Sequence, residues 1–242
     1  MSAPKLIGVG VGPGDPELMT LKAMRAIGEA DVVAYFAKAG HASHSLATAA
    51  PHLRNGATQL PLLYPVTTEL PKCSDRYRDA IRDFFDTAAA TLAAQLEAGR
   101  VVAVICEGDP LFYGSYMHLH ARLAPRFPVE IVPGITGMSG CWSAAGTPIA
   151  QGDDVFTVLP ATLPEDELAR RFSETNAAVV MKVGRHLPKV RRALKTSGRL
   201  PRAIYVERGT MSDAKLVPLA AKPDDDAPYF AIVLVPGWEK RP

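Results

Sequence analysis

The chain has 242 residues, of which 48% are hydrophobic and 21% charged, a globular composition with room for one large α/β domain or two small ones. A formal net charge of +2 gives no bulk affinity for nucleic acid or anionic lipid, and no apolar run approaches the roughly 20 residues of a membrane span. Cys73, Cys106 and Cys141 are far apart and form no CxxC pair, which argues against a zinc site or a disulfide framework and for a reduced compartment. The start, "MSAPKLIGVGVGPGD", lacks the layout of a secretory leader, so a cytoplasmic protein is expected.

In chain order, residues 5–11 read as a short strand that ends in the turn "GPGDPEL". Asp15 can cap a helix with Pro16 at its first position, carried by Leu18, Leu21 and Met24 to Ile27. "DVVAYFA" is the second strand. Over residues 40–70 the pattern dissolves around Pro51, Pro61 and Pro65, with room for a short strand in "ATQLPLLY". Ile81, Phe84, Phe85, Ala88, Leu92 and Leu96 fall at helical spacing, and Gly99 stops that helix. The apolar run 101–106 is a buried strand, followed by a helix through His118 to Leu123 and the strand "VEIV". Such alternation predicts right-handed crossovers and a parallel sheet.

The segment 133–149, "PGITGMSGCWSAAGTPI", reads as a hinge, dividing the chain into expected domains 1–134 and 135–242. The second half runs as strand "VFTVLP", a helix with Thr162 and Glu165 at capping-box spacing, strand "AAVVMKVG" and a helix 188–196 stopped by Gly198. "RAIYVERG", "KLVPL" and "YFAIVLV" follow without helices between them, so this sheet is expected to be mixed.

The glycines at 8, 10 and 12 fail the dinucleotide fingerprint: counted from Gly8, Pro13 stands at the third glycine, and counted from Gly10, Asp15 does. No phosphate-binding GxxxxGK[ST] occurs. Two acidic glycine turns, "GPGDP" and "EGDP", instead follow strands of one sheet. There they would line a crevice suited to an uncharged, hydroxyl-rich or cationic ligand such as a sulfonium nucleoside. Their simpler reading is strand-to-helix turns with good caps. Phe112, Tyr113, Tyr116 and Met117 read equally as core or as an apolar wall for a flat ligand. His118 and His120, two apart on a helix, point to different faces and make a poor chelate, so no metal site is expected. Ser139 and Ser143 have no nucleophile-elbow context.

"GVGVGPGDPELMTLKA", "CEGDPLFYGSYMHL" and "VPGITGMSGCWSAAGTPI", in this order, resemble the three signature stretches of the tetrapyrrole (corrin/porphyrin) methylases. The likeness continues more loosely through "VVMKVGRH", "YVERGTM" and "YFAIVLV". It implies a two-domain α/β fold with a mainly parallel N-terminal sheet, a mixed C-terminal sheet and a cleft between. It further implies a homodimer and S-adenosylmethionine as methyl donor, leaving as S-adenosylhomocysteine. Carried over residue by residue, the cofactor-binding positions are Pro13, Gly108, Asp109, Phe112, Thr136, Gly137, Met181 and Gly209.

Within the family, "YPVTTE", "FYGSYMHL" and "GMSGCW" resemble the branch that methylates C20 of precorrin-2, giving precorrin-3A on the way to cobalamin. The uroporphyrinogen branch usually has Gly-Arg where this chain has Gly114-Ser115. The alternatives are the cobalt-containing ring, cobalt-factor II, as substrate, or methylation of another ring carbon. Arg76, Arg78, Tyr113, Arg185 and His186 are candidates for holding a substrate rich in carboxylates, and no residue stands out as the base that takes the C20 proton.

Overall fold

A computed structural model describes residues 3–65 and 74–237. The chain divides into two compact units, 1–137 and 138–242, so the division falls after Gly137 rather than after Gly134.

In the first unit, β1 (Lys5–Gly10), α1 (Leu21–Glu29), β2 (Val32–Lys38), α2 (His44–Ala49), β3 (Thr58–Tyr64), α3 (Asp75–Glu97), β4 (Val101–Cys106), α4 (Tyr116–Leu123) and β5 (Val129–Val132) alternate along the chain. The five strands form one parallel sheet in the order β3-β2-β4-β1-β5. Every residue of β4 is buried because helices cover both faces. Leu92, Leu96 and Phe85 of α3, with Leu119 and Leu123 of α4, pack on the face that carries Leu6, Val102 and Val104. Ala23 and Ile27 of α1 and Ala49 of α2 pack on the opposite face, against Ile7, Val9, Ala103 and Ile105.

Two local readings are corrected. The single helix expected from Pro16 until Asp31 is instead a 3-10 turn, Pro16–Leu18, capped by Asp15, followed by a separate helix. The break arises because the Thr20 hydroxyl accepts the Ala23 N–H and starts α1 afresh. Inside the featureless stretch 40–70, Ser43 caps α2 by accepting the Leu46 N–H.

The second unit begins with most of α5 (Gly137–Ala144) and continues through β6 (Phe156–Pro160), α6 (Glu165–Glu174), β7 (Ala177–Met181), α7 (Leu187–Thr196), β8 (Ile204–Glu207), β9 (Lys215–Pro218) and β10 (Ala231–Val235). Its sheet is mixed, in the order β6-β7-β10-β8-β9: β6 and β7 are parallel, and β10 runs antiparallel to both β7 and β8. α6 and α7 cover one face through Phe172, Leu187, Val190 and Leu194. Cys141, Met138 and Trp142 of α5 cover the other, on Val179, Val206, Ile232 and Leu234. The expected capping box at Thr162 and Glu165 is not formed: Glu165 is the first residue of α6 and has no side-chain cap bond. Its carboxylate instead pairs with Arg192 of α7 at 2.8 Å.

Candidate cofactor and substrate site

In the first unit the neighbouring central strands β1 and β4 send their chains to opposite faces, into α1 and α4 respectively. Such a switch point opens a crevice at the carboxyl ends of the strands, where open α/β sheets bind ligands. The loops after β1, β4 and β5 meet there with almost no side chain between them. The Gly108 N–H donates to the Gly12 carbonyl at 2.8 Å, both residues in the left-handed region (φ +66° and +80°). A Cβ on Gly10 would lie 2.4 Å from the Gly108 oxygen and 2.6 Å from the Gly134 nitrogen, so only glycine permits this approach. Beyond the junction, a Cβ on Gly108 would come within 3.5 Å of the Gly137 nitrogen and 3.7 Å of the Thr136 Cα. The structure thus gathers Gly108, Thr136 and Gly137, with Pro13 next in chain to Gly12. Phe112 lies further along the loop, its ring edge-on to Tyr113 with centroids 4.9 Å apart.

The carboxylates that make these loops acidic are also their scaffolding. Asp15 accepts the Glu17 N–H at 2.9 Å. Asp109 accepts the Leu111 N–H through Oδ1 (2.9 Å) and the Gly134 N–H through Oδ2 (3.1 Å), tying its own turn to the loop after β5. Glu107 accepts the Ser45 N–H at the start of α2 (3.1 Å), which fixes that helix against the end of β4. No lysine or arginine occurs in these three loops, so the surface offered is one of backbone groups and carboxylate lone pairs.

In the second unit, β7 and β8 run in the same direction on either side of β10, so Met181 and Gly209 lie at one edge of that sheet. Met181 joins the apolar cluster of Cys141, Val206 and Ile232. Gly209 is pressed on α5: a Cβ there would lie 2.8 Å from Cys141 Sγ and 3.0 Å from its Cα. Burial pushes the Cys141 thiol up to about 11 and holds Cys106 still higher, so neither is a thiolate near neutrality. The next residue, Thr210, has a buried hydroxyl with no hydrogen-bond partner among the described residues.

Among the described residues, the non-glycine positions with positive φ are Tyr113 (55°), Lys182 (58°) and Arg208 (49°). Each is the chain neighbour of an expected cofactor-binding residue: Phe112, Met181 and Gly209. Left-handed backbone disfavours a side chain by roughly 1–2 kcal/mol, and such strain gathers at functional sites.

The expected substrate-binding residues fall on both units. Arg76 and Arg78 are exposed in the first turns of α3, where Arg78 reaches Asp75 at 3.6 Å. Tyr113 is exposed on the first unit. Arg185 is exposed and His186 half-buried in the 3-10 turn Gly184–His186 that leads into α7. Most of "YPVTTE" and Cys73 lie outside the described residues; Tyr64, at the end of β3, hydrogen-bonds Ser115. His118 stacks on Phe85 (centroids 4.3 Å), and desolvation and then the Arg122 charge lower its pKa. No group of metal-ligating residues is found among the described residues.

The sequence reading missed Ser45, whose N–H ties α2 to Glu107, and the left-handed Lys182; composition hints at neither.

The family model for tetrapyrrole (corrin/porphyrin) methylases matches residues 5–222, and the chain belongs to this family of methyltransferases. A precorrin-2 C(20)-methyltransferase from Sinorhizobium sp is 62% identical over 238 residues, covering 98% of this chain and 97% of that protein. A cobalt-precorrin-2 C(20)-methyltransferase from Salmonella typhimurium is 27% identical, covering 97% and 98%. Among solved structures, a uroporphyrin-III C-methyl transferase from Thermus thermophilus complexed with S-adenyl homocysteine matches with TM-score 0.64 at 25% identity, covering 95% of this chain and 96% of that one.

Proposed function

We propose that this protein transfers a methyl group from S-adenosylmethionine to C20 of precorrin-2, giving precorrin-3A in cobalamin biosynthesis. The observation that carries the reading is the 62% identity, over nearly the whole of both chains, to a protein of that activity. The lower identity to the cobalt-precorrin enzyme, 27%, favours the metal-free ring as substrate over cobalt-factor II.

The loops suit this cofactor. It has no phosphate to repel the carboxylates, its sulfonium is cationic, and its ribose hydroxyls and amines can bond backbone groups and carboxylate oxygens. The glycine cradle leaves those groups uncovered by side chains. The residues assigned to hold it are Pro13, Gly108, Asp109, Phe112, Thr136, Gly137, Met181 and Gly209.

When bound, the cofactor supplies an electrophilic methyl. The chain supplies alignment and exclusion of water, which for two oriented reactants accounts for a large part of a barrier. Asp109 keeps the loop after β4 in register with the loop after β5, so the backbone contacts are set before the ligand arrives. Arg76, Arg78, Arg185 and His186 supply positive charge for the carboxylates of the ring, and Tyr113 supplies an exposed aromatic edge for its flat face. The protein is taken to act in the cytoplasm as a homodimer; no helix among the described residues is long and apolar enough to cross a membrane.

An anaerobic incubation of precorrin-2, with and without inserted cobalt, with methyl-labelled S-adenosylmethionine tests the reading. Label at C20 of the metal-free ring supports it. Label only on the cobalt form moves the enzyme to the anaerobic route, and label at another carbon overturns the assignment of position.

A further inference from the structure

Methylation of a ring carbon that carries a hydrogen is complete only when that hydrogen leaves as a proton. The C20–methyl bond forms as the methyl–sulfur bond breaks and leaves its electron pair on sulfur. C20 then carries both the methyl and its hydrogen, and the ring holds the positive charge that the sulfonium has lost. A base must take the proton while the C–H electron pair returns to the ring. Such a base has to be open to the ligand and held in place beforehand.

Four carboxylates stand on the loops after β1 and β4: Asp15, Glu17, Glu107 and Asp109. Asp109 is occupied by structure, since both of its oxygens accept backbone N–H groups. Asp15 is half-buried and closes its own turn by accepting the Glu17 N–H. Glu17 is exposed, but its carboxylate makes no bond among the described residues, so nothing fixes it. Glu107 is both exposed and held. It lies between buried Cys106 and buried Gly108, and its Oε1 accepts the Ser45 N–H at 3.1 Å. Its Oε2 has no partner among the described residues. The anchor is firm, because Ser45 is buried in the first turn of α2 with its hydroxyl 3.0 Å from that of Ser43. One residue on, the Gly108 N–H is bonded to Gly12 at the three-loop junction, so Glu107 leaves the sheet beside the glycine cradle.

We propose that Glu107 is the base that takes the C20 proton, through Oε2. The proposal rests on the methylation of C20 read above and adds the one chemical group that alignment alone does not supply. An amide in its place keeps an oxygen for the Ser45 N–H and loses the basic oxygen, so Glu107→Gln separates the structural role from the chemical one.

The test compares the wild type with Glu107→Gln and Glu107→Ala on precorrin-2 carrying either hydrogen or deuterium at C20. Turnover of each isotopic form is measured, with calorimetric titration of S-adenosylmethionine and a thermal melt of each protein. The glutamine variant should lose about 100-fold in kcat, bind S-adenosylmethionine within about twofold of wild type and melt close to it. Its kcat should show a larger primary deuterium isotope effect than the wild type, because proton removal has become the slow step. Formate, a small carboxylate, should restore part of the turnover of the alanine variant. His44, next in chain to Ser45, is the neighbouring titratable residue, and His44→Gln should leave the isotope effect at its wild-type value. A glutamine variant that turns over within about threefold of wild type overturns the proposal. So does a slow glutamine variant with an unchanged isotope effect, since methyl transfer and not proton removal would then be impaired. A wild type that forms no C20-methylated product overturns the reading of the reaction itself, and the inference with it.

Discussion

Replacing Gly134 by alanine tests the three-loop junction directly. Its added Cβ would sit 2.1 Å from the Gly108 carbonyl oxygen and 2.9 Å from the Cα of Gly10. Ordinary contact begins near 3.4 Å, so the Gly108 peptide must retreat by about 1.3 Å. Every obstructing atom is backbone, and no side chain can rotate away to relieve the clash. Overpacking of this kind destabilises by about 1–3 kcal/mol, and the displacement also stretches the bond from the Gly134 N–H to Asp109, adding about 1 kcal/mol. A total near 2–4 kcal/mol lowers the melting temperature by roughly 4–16 °C for a protein of this size. Because Gly108 also faces Thr136 and Gly137, S-adenosylmethionine binding measured by titration at a temperature where the variant is folded should weaken too. Gly99→Ala separates the two effects: Gly99 has φ +78° and nothing within 4 Å, so it should lose about 1 kcal/mol of stability with unchanged binding. A Gly134→Ala protein that melts within 2 °C (about the shift expected from under 1 kcal/mol) and binds as wild type would refute the junction.

Asp109→Asn leaves one acceptor oxygen where the structure uses two, so urea titration should show about 1–2 kcal/mol of lost stability, accompanied by weaker cofactor binding. Gly209→Ala should push α5 off Val206; its signature is loss of binding together with a lower melting temperature, and an unchanged melt would contradict the packing described. Asp31 accepts the Val101 N–H and an Arg54 bond, which hold its pKa below the ordinary 3.8. That contribution is complete above the ordinary value and disappears as pH falls through the lowered one, so the stability gap between wild type and Asp31→Asn should be constant near neutrality and close below about pH 4. Cys106 and Cys141 should resist a thiol reagent at pH 8 in the native protein, as read by peptide-resolved mass spectrometry, and react at once in denaturant.

The periodic elements were legible because burial imposes their pattern: the wholly apolar 101–106 announces a central parallel strand, and Ile81 to Leu96 trace one face of α3. α2 escaped notice because six residues beginning "HSLATA" carry too few apolar side chains to show a period. The break before Thr20 arises because Asp15 and Thr20 each cap their own turn, and the cap at Thr162 is missing where α6 starts at Glu165, whose carboxylate pairs with Arg192 of α7. The acidic loops could be located but their bonding could not. Asp109 and Gly134 are 25 residues apart, and Glu107 and Ser45 are 62 apart, so only the folded sheet brings the partners together.

The strand order has a consequence for how the first unit comes to be folded. β1 lies between β4 and β5, and its register partners Val101 to Cys106 and Val129 to Val132 come about a hundred residues later in the chain. During synthesis β1 must wait, unpaired on both edges, while β2 and β3 can already join each other. Native pairing of the strand that opens the unit therefore waits for β4 and is completed only by the edge strand β5. Losing β5 alone should trim one edge, whereas losing β4 as well should cost the sheet its order, because β4 joins β2 to β1, and a chaperone that shields nascent apolar strands would find a client in residues 5–11.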